Sequence, residues 1–321
     1  MRLPARIDSY QVLGRLAEGT RTRILLAQAK GPGGFVRSVV IKQLRGAFAH
    51  VGDQVRLLFD EARIAGSLHH PNIVEVYGFG ETRAGYYLVM EFVNGWTARG
   101  ILSTAALGKR ALPIDVAVTL AHGLASALHH AHELGVVHRD VTPSNVMVSD
   151  FGAPTLIDFG SANGRADAVT RYSSPEVILH KPVDRRADLY SLGVVLYELT
   201  TGARLFGSTQ ATHNILSGDV LPPSAYRASY PVGLEAIVLL AMQRDATLRQ
   251  QSAEELLVAL ETFAAASGFA LSSLRVAQVV RELFGRQVAF LPREDVTTVL
   301  PRAPINNGRT RVRVARRRRA G

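Results

Sequence analysis

No cysteine occurs in the 321 residues, so disulfide frameworks, thiolate zinc centres and cysteine nucleophiles are all excluded. Lysine is nearly as scarce, with four (30, 42, 109 and 181) against 33 arginines, so a lysine that falls inside a chemical pattern carries more weight than usual. No run comes near the roughly eighteen apolar residues that a membrane-crossing helix needs. The opening MRLPARIDSY also lacks the apolar core of a secretory leader. Both absences predict a soluble, cytoplasmic chain. Acidic residues are missing from 302–321, where eight arginines supply eight of the net charge of +10. The remaining 29 basic and 27 acidic residues nearly balance, so the high basicity belongs to a tail and not to the folded body. What is plentiful is apolar surface: 47% hydrophobic residues over this length give one large core or two modest ones and rule out disorder throughout.

The patterning divides the chain in two. Residues 10–28, 36–44, 73–80 and 86–92 are β-branched or aromatic runs broken by Gly, Thr and Arg turns, which predicts an antiparallel sheet. One helix interrupts it, from Asp53 to Leu68, where Val55, Leu58, Phe59, Ala62 and Ala65 recur at three- and four-residue spacing before the stop signal His-His-Pro-Asn. From about 97 the period turns helical, with segments at 113–134, 184–201, 233–243 and 252–266, and two short strand-like pieces at 146–148 and 155–157 suit a hairpin carrying a site. A linker near 91–95 separates a small sheet-rich lobe from a larger helical one, and a cleft between two lobes is a favoured place for a ligand. A further amphipathic segment covers 271–284, with Leu271, Leu274, Val276, Val279, Val280 and Leu283 as its apolar face, expected to pack in cis or to recruit a partner. The stretch 301–321 has no periodicity.

The segment with the most specific chemistry is HRDVTPSNV at 138–146, followed by LIDFG at 156–160. With VVIK at 39–42, Glu61 in the helix ahead of HPNIV, SPE at 174–176 and DLYSLGVVLYEL at 188–199, these motifs resemble a bacterial eukaryotic-like (Hanks-type) serine/threonine protein kinase over about residues 7–266. The resemblance implies an α+β, two-lobed fold, with an N-lobe over about 7–92 and a C-lobe over about 94–266. A helical extension at 267–300 and a basic tail at 301–321, expected to be disordered, would follow. It implies transfer of the γ-phosphoryl group of ATP, with Mg²⁺, to serine or threonine hydroxyls of protein substrates, in signalling. Such a transfer gathers negative charge, so a cation, oxygen ligands for a metal and an acceptor for the hydroxyl proton are required. By this resemblance Lys42 contacts the phosphates and is held by Glu61, Asp158 and Asn145 bind Mg²⁺, and Asp140 orients the substrate hydroxyl. Leu16, Gly19, Ile24, Val40, Met90, Glu91, Val93 and Met147 would surround the nucleotide, with main-chain groups of the 90–93 stretch on adenine. Glu176 with Arg249, and Asp188 beneath the catalytic loop, resemble the family's structural anchors.

The sequence departs from the pattern in several places. The family's three loop glycines align with Ala17, Gly19 and Thr22, so only the middle one is kept, and a stiffer phosphate loop is expected. Arg21 and Arg23 are either phosphate-directed cations or solvated side chains of a hairpin tip. Thr142 stands where a lysine is usual, and Val40 where alanine is usual. These departures motivate the alternative reading, a pseudokinase acting as a nucleotide-sensing or partner-binding scaffold. The segment 161–173 is short. Arg139 suits control by phosphate there, with autophosphorylation at Thr170 foremost and Ser173 and Ser161 behind it, while a segment ordered without phosphate is the equal alternative. His129 and His132 stand three apart on a helix, but no further ligand is spaced to close a metal site. The arginine tail could meet nucleic acid or an anionic membrane, although simple disorder is the commoner fate of such a tail.

Overall fold

The computed structural model describes residues 4–46, 48–108, 110–161, 169–207, 211–218 and 220–285. Its N-terminal part is a six-stranded antiparallel sheet of β1 (Arg6–Ile7), β2 (Tyr10–Glu18), β3 (Thr22–Lys30), β4 (Val36–Leu44), β5 (Val76–Thr82) and β6 (Gly85–Glu91). Strand order is β1-β2-β3-β4-β6-β5, and helix α1 (Gly52–Ala65) is inserted between β4 and β5. Because side chains alternate across a strand, β4 sends Val39 and Ile41 to one face and Val40, Lys42 and Leu44 to the other. The first face builds a small core of Leu25, Ala27, Val39, Ile41, Tyr87 and Val89, while on the second Leu44 and Leu88 pack against Leu58 of α1. The alternation that makes the sheet therefore carries Lys42 to the α1 side.

After the linker come β7 (Gly95–Thr97), α2 (Ala98–Leu107), α3 (Ile114–Glu133), β8 (Val146–Ser149) and β9 (Pro154–Leu156). Helices α4 (Pro175–Ile178), α5 (Arg186–Thr201), α6 (Ala211–Ser217), α7 (Val232–Ala241), α8 (Ala253–Ala266) and α9 (Ser273–Phe284) complete the chain. Strands β7, β8 and β9 form a second, three-stranded sheet in that order. Helix α5 is buried on every side from Ala187 to Thr200, which makes it the centre of the large lower core, with α3, α7 and α8 packed against it. The structure is the two-lobed α+β fold expected from the motifs.

Element boundaries differ from the sequence reading where tertiary contacts outweigh local pattern. The run 73–80 is not one strand: Val74 N–H donates to Leu156 O and Leu156 N–H to Asn72 O, which ties 72–74 to β9, so β5 starts only at Val76. The helix expected to reach Leu68 ends at Ala65, and the next three residues tighten into turns. Strand β7 and helix α2 occupy a stretch read only as linker and helical onset. The first is defined by its pairing with β8, the second by Thr97, whose hydroxyl caps it by accepting from Gly100 N–H. Helix α9 packs in cis, burying Val276, Val279 and Val280, but Leu274, placed with them by sequence, is 74% exposed. It stands about 200° around the helix from Val276 and faces away. The basic tail 301–321, and the part of the extension beyond Gly285, lie outside the described residues. No helix among the described residues is long and apolar enough to cross a membrane.

Candidate active site

A cleft of about 320 Å³ lies between the upper sheet and the second sheet. Its walls are apolar: Leu16 and Ile24 from β2 and β3, Val40 from β4, Val74 and Met90 behind, and Met147 and Ile157 from below. Glu91, Phe92 and Val93 close one end. Polar groups gather at the other, where Lys42, Glu61, Asn145 and Asp158 meet.

Lys42 Nζ donates to both carboxylate oxygens of Glu61, at 2.7 and 2.8 Å, and to Asp158 Oδ1 at 2.9 Å. One ammonium thus serves two carboxylates in a site where Lys42 is 9% and Glu61 4% exposed. Burial by itself lowers an ammonium's pKa, but the charges of Asp158 and Glu61 overcome it and hold Lys42 above the ordinary lysine value. Burial raises a carboxyl, and it pushes Glu61 up to about 7 against the pull of Lys42. Burial also raises Asp158, though less of it is hidden, its side chain being 43% exposed, and Lys42 with the Gly160 N–H that donates to its Oδ1 draws it down to about 2. Asp158 takes φ +67, a left-handed conformation that few non-glycine residues adopt, at the mouth of the cleft.

Below this cluster the loop 138–145 folds around a buried aspartate. Asp188, fully buried at the start of α5, accepts from the backbone N–H of His138 at 2.8 Å and of Arg139 at 2.7 Å, and from His132 Nε2 at 2.8 Å. That anchor holds Arg139 at φ +66, one residue before Asp140. Asn145 Nδ2 donates to Asp140 Oδ2 at 2.7 Å and to Asp140 O at 2.9 Å. Burial raises the Asp140 carboxyl above the usual range, although His138 and the Asn145 bond pull the other way. His138 itself donates to Ile157 O at 3.1 Å, linking this loop to the strand that delivers Asp158.

The residues singled out from sequence are therefore mostly brought together. Leu16, Ile24, Val40, Lys42, Met90, Glu91, Val93 and Met147 all line the cleft, as do Glu61, Asn145 and Asp158. Asp140 stands just outside it, joined through Asn145. Gly19 sits at the β2–β3 hairpin tip, where its N–H donates to Thr22 O, and does not line the cleft. Arg23 is not aimed at the cleft, since its guanidinium donates twice to Gln43 Oε1, at 3.1 and 2.8 Å. His132 is engaged with Asp188 rather than paired with His129. Thr142 is buried, with its carbonyl accepting from Asn145 N–H. Thr170 Oγ1 accepts from Tyr172 N–H at 3.2 Å, and Ser173 is buried beside it. The side chain of Ser161 lies outside the described residues.

Ala17 and Phe92, read as part of the nucleotide loop and the 90–93 stretch, line the cleft too, whereas sequence reasoning missed Val74, Thr97, Ser144 and Ile157. Ile157 had a signal in its place between the apolar strand β9 and Asp158. It also missed Arg45, just past β4, whose Nη1 donates to Gly19 O at 3.0 Å and whose Nε lies 3.4 Å from Glu18 Oε1. Arg45 N–H donates to Arg21 O as well. The hairpin tip that lost two loop glycines is thus braced from outside by an arginine. Arg45→Ala is expected to loosen the tip and raise the KM for nucleotide about twofold to fivefold without lowering kcat, the modest size following from exposed hydrogen bonds. Steady-state kinetics at varied nucleotide would check it.

A sheet lobe over a helical lobe, with a lysine–carboxylate cluster at the end of an apolar cleft, is the build of the protein-kinase-like fold. The family described as protein kinase domain matches residues 10–236, and the chain belongs to that family. It is 37% identical to the tyrosine-protein kinase MasK of Myxococcus xanthus over 79% of this chain and 43% of that protein. To the serine/threonine-protein kinase PknB of Mycobacterium tuberculosis it is 36% identical over 68% of this chain and 38% of that protein. A solved PknI kinase domain of Mycobacterium tuberculosis superposes with a TM-score of 0.67 at 28% identity, covering 82% of this chain and all of that one. The chain spans about two fifths of the length of the curated relatives it matches.

Proposed function

We propose that the chain is an ATP-dependent protein serine/threonine kinase, acting in signalling in the cytoplasm, the compartment that supplies ATP. The observation that carries the reading is the convergence of Lys42, Glu61 and Asp158 at the polar end of the cleft, with Asn145 holding Asp140 beside them. In this role Lys42, kept charged, binds the phosphates, and Glu61 fixes its direction. The apolar walls and the 90–93 linker hold the adenine ring. Asp140 accepts the proton of the substrate hydroxyl, its carboxylate aimed by the amide of Asn145. Serine and threonine are assigned as acceptors on the run Pro143-Ser144-Asn145, and PknB, among the relatives, carries that designation in its name.

Asn145 and Asp158 fit a divalent cation. Both line the cleft and both offer oxygen, and with the Asn145 NH₂ bound to Asp140, its Oδ1 is the atom left to ligate. We assign the ion as Mg²⁺; when bound it offsets phosphate charge. Autophosphorylation is assigned to Thr170. The Arg139 Nε, buried and without a partner among the described residues, supports a phosphate-ordered segment over one ordered without it.

The test is to incubate the chain with ATP and Mg²⁺ and follow intact mass, with EDTA as the control. Phosphate gained only with the metal supports the reading, and peptide mapping then locates Thr170. A chain that binds nucleotide yet transfers nothing under any condition is a nucleotide-sensing scaffold instead.

The raised pKa of Asp140 gives a pH dependence with a definite sign. The carboxylate accepts a proton only when ionised, so kcat/KM falls as pH drops through the pKa of Asp140, which burial sets above the ordinary 3.8. The acid limb is therefore expected above pH 3.8, and a rate flat down to that value would contradict the assignment.

A further inference from the structure

Helix α9 lies beyond residues 10–236, the span matched by the kinase family, yet it is built into the nucleotide end of the molecule. Its N-terminal end is fastened to α3. Arg275 Nε donates to Asp115 Oδ2 at 3.1 Å, and the preceding Ser272 N–H reaches Thr119 Oγ1 at 3.4 Å. Its first turn also presses on the β8–β9 turn: a Cβ added to Gly152, which has φ +85, would stand 1.9 Å from Ser273 O and 2.6 Å from Ala277 N. Only glycine fits where this helix crosses.

The C-terminal end of α9 reaches the end of the linker through two neighbours, Asp150 of the β8–β9 turn and Trp96 of β7. Arg281 Nη2 donates to Asp150 O at 3.0 Å. Asp150 grips Asn94 twice, its N–H donating to Asn94 O and its Oδ2 accepting from Asn94 Nδ2, both at 2.9 Å. The Phe284 ring stacks on Trp96, with centroids 4.8 Å apart and planes 17° from parallel. Asn94 and Trp96 lie between Val93 and Thr97, which line the cleft, and β7 leaves no slack. A Cβ on Gly95 would stand 2.0 Å from Val148 O. Trp96 is the only tryptophan in the chain, and its partner ring comes from 188 residues away.

We propose that α9 is a strap that sets the linker for nucleotide, with Arg281 and Phe284 as positioning residues for the adenine end of the cleft. The proposal rests on the nucleotide reading of that cleft. A helix fastened at one end to α3 and at the other to Asp150 and Trp96 fixes the linker before ligand arrives, so the ordering cost is removed from the binding step. Loosening the far end returns that cost to binding while leaving Lys42, Asp140 and Asp158, which stand at the opposite end, unchanged.

The experiment uses the full chain, its Arg281→Gln and Phe284→Ala variants, and Leu274→Ala on the exposed side of the same helix as control. The readouts are calorimetric affinity for ADP with Mg²⁺, steady-state KM and kcat, and the melting temperature without nucleotide. The expected result is about threefold to tenfold weaker ADP binding in both variants, the size of a lost hydrogen bond or ring stack. KM for ATP rises to match, and kcat stays within about twofold of wild type. Phe284→Tyr should restore binding, and Leu274→Ala should not change it. Arg281→Gln removes one exposed contact and cannot unfold the chain, so it decides the matter if Phe284→Ala is unstable. Unchanged ADP affinity in Arg281→Gln and Phe284→Ala, beside a wild type that binds, would overturn the strap alone. A wild type that binds no nucleotide would overturn the cleft assignment and the strap with it.

Discussion

Asp140→Asn is expected to lower phosphoryl transfer by about 10²- to 10⁴-fold, the usual worth of a positioned general base, while nucleotide affinity stays within about twofold. The substitution is nearly isosteric, and the loop around it has two supports that do not need the carboxylate charge. Asp140 N–H donates to His138 Nδ1 at 3.2 Å, and Asp140 O accepts from Asn145 Nδ2 at 2.9 Å. An amide at 140 can turn its oxygen to Asn145 and keep the bond now made to Oδ2. What it cannot do is take a proton from an incoming hydroxyl. Asp140 is also outside the cleft lining, so the nucleotide has no reason to register the change. Lys42→Met is a poorer probe, because it strips the cation from two carboxylates at once and leaves Glu61 buried and unpaired. Initial rates and calorimetry on the Asp140→Asn chain check the prediction. Activity within tenfold of wild type would remove Asp140 from the mechanism, and an equal loss of nucleotide affinity would make its role structural.

The parts of the site legible in the sequence were those carried by short local patterns. Lys42 and Glu61 are placed by the resemblance of VVIK and of the helix ahead of HPNIV to kinase motifs, and the alternation of β4 and the packing face of α1 are what bring them together. The five-residue interval from Asp140 to Asn145 is short enough that one loop must bring them together. Arg45, Thr97 and Phe284 lacked any such pattern. Arg45 acts on the hairpin tip 26 residues earlier, and nothing in its own neighbours says so. Three-residue β7 exists only because β8 pairs with it. The loop glycines point the other way: two of the three are absent by sequence, which suggested a stiffer phosphate loop, and the structure adds a brace from Arg45 that no local reading of 15–24 contains. Contacts across long sequence separations are set by packing, and a single chain shows only their ends.

Arg249→Met is expected to destabilise the helical lobe by about 3–5 kcal/mol, the cost of leaving one partner of a buried ion pair uncompensated. Arg249 is 3% exposed, and all five of its N–H groups are placed. Nε donates to Gln243 O at 2.7 Å; Nη1 donates to Glu176 Oε1 at 2.7 Å and to Arg186 O at 3.0 Å; Nη2 donates to Glu176 Oε2 at 2.8 Å and to Arg244 O at 3.2 Å. The guanidinium also lies 5.0 Å from the centre of the Tyr190 ring. One side chain therefore joins Glu176 of α4, the head of α5 and the loop before α8, the last two being tied as well by Arg185 Nε to Gln251 O at 2.9 Å and by Arg186 Nη1 to Gln251 Oε1 at 3.0 Å. Lysine supplies charge without the planar fork, so Arg249→Lys should recover only part of the loss. Burial raises the Glu176 carboxyl, but the bonds from Arg249 outweigh it and hold its pKa below the ordinary 4.5. A carboxyl depressed on folding contributes stability above its unfolded value and loses it as pH falls through the lower folded value. The difference in stability between wild type and Arg249→Met should thus be full at neutral pH and shrink below about pH 4.5. Urea melts at pH 7 and pH 4 would measure both quantities, and adding Glu176→Gln to Arg249→Met should return part of the lost stability, since the stranded charge goes with it. A double variant no better than the single one would show that the bonds to Gln243, Arg186 and Arg244, and not the ion pair, hold the lobe.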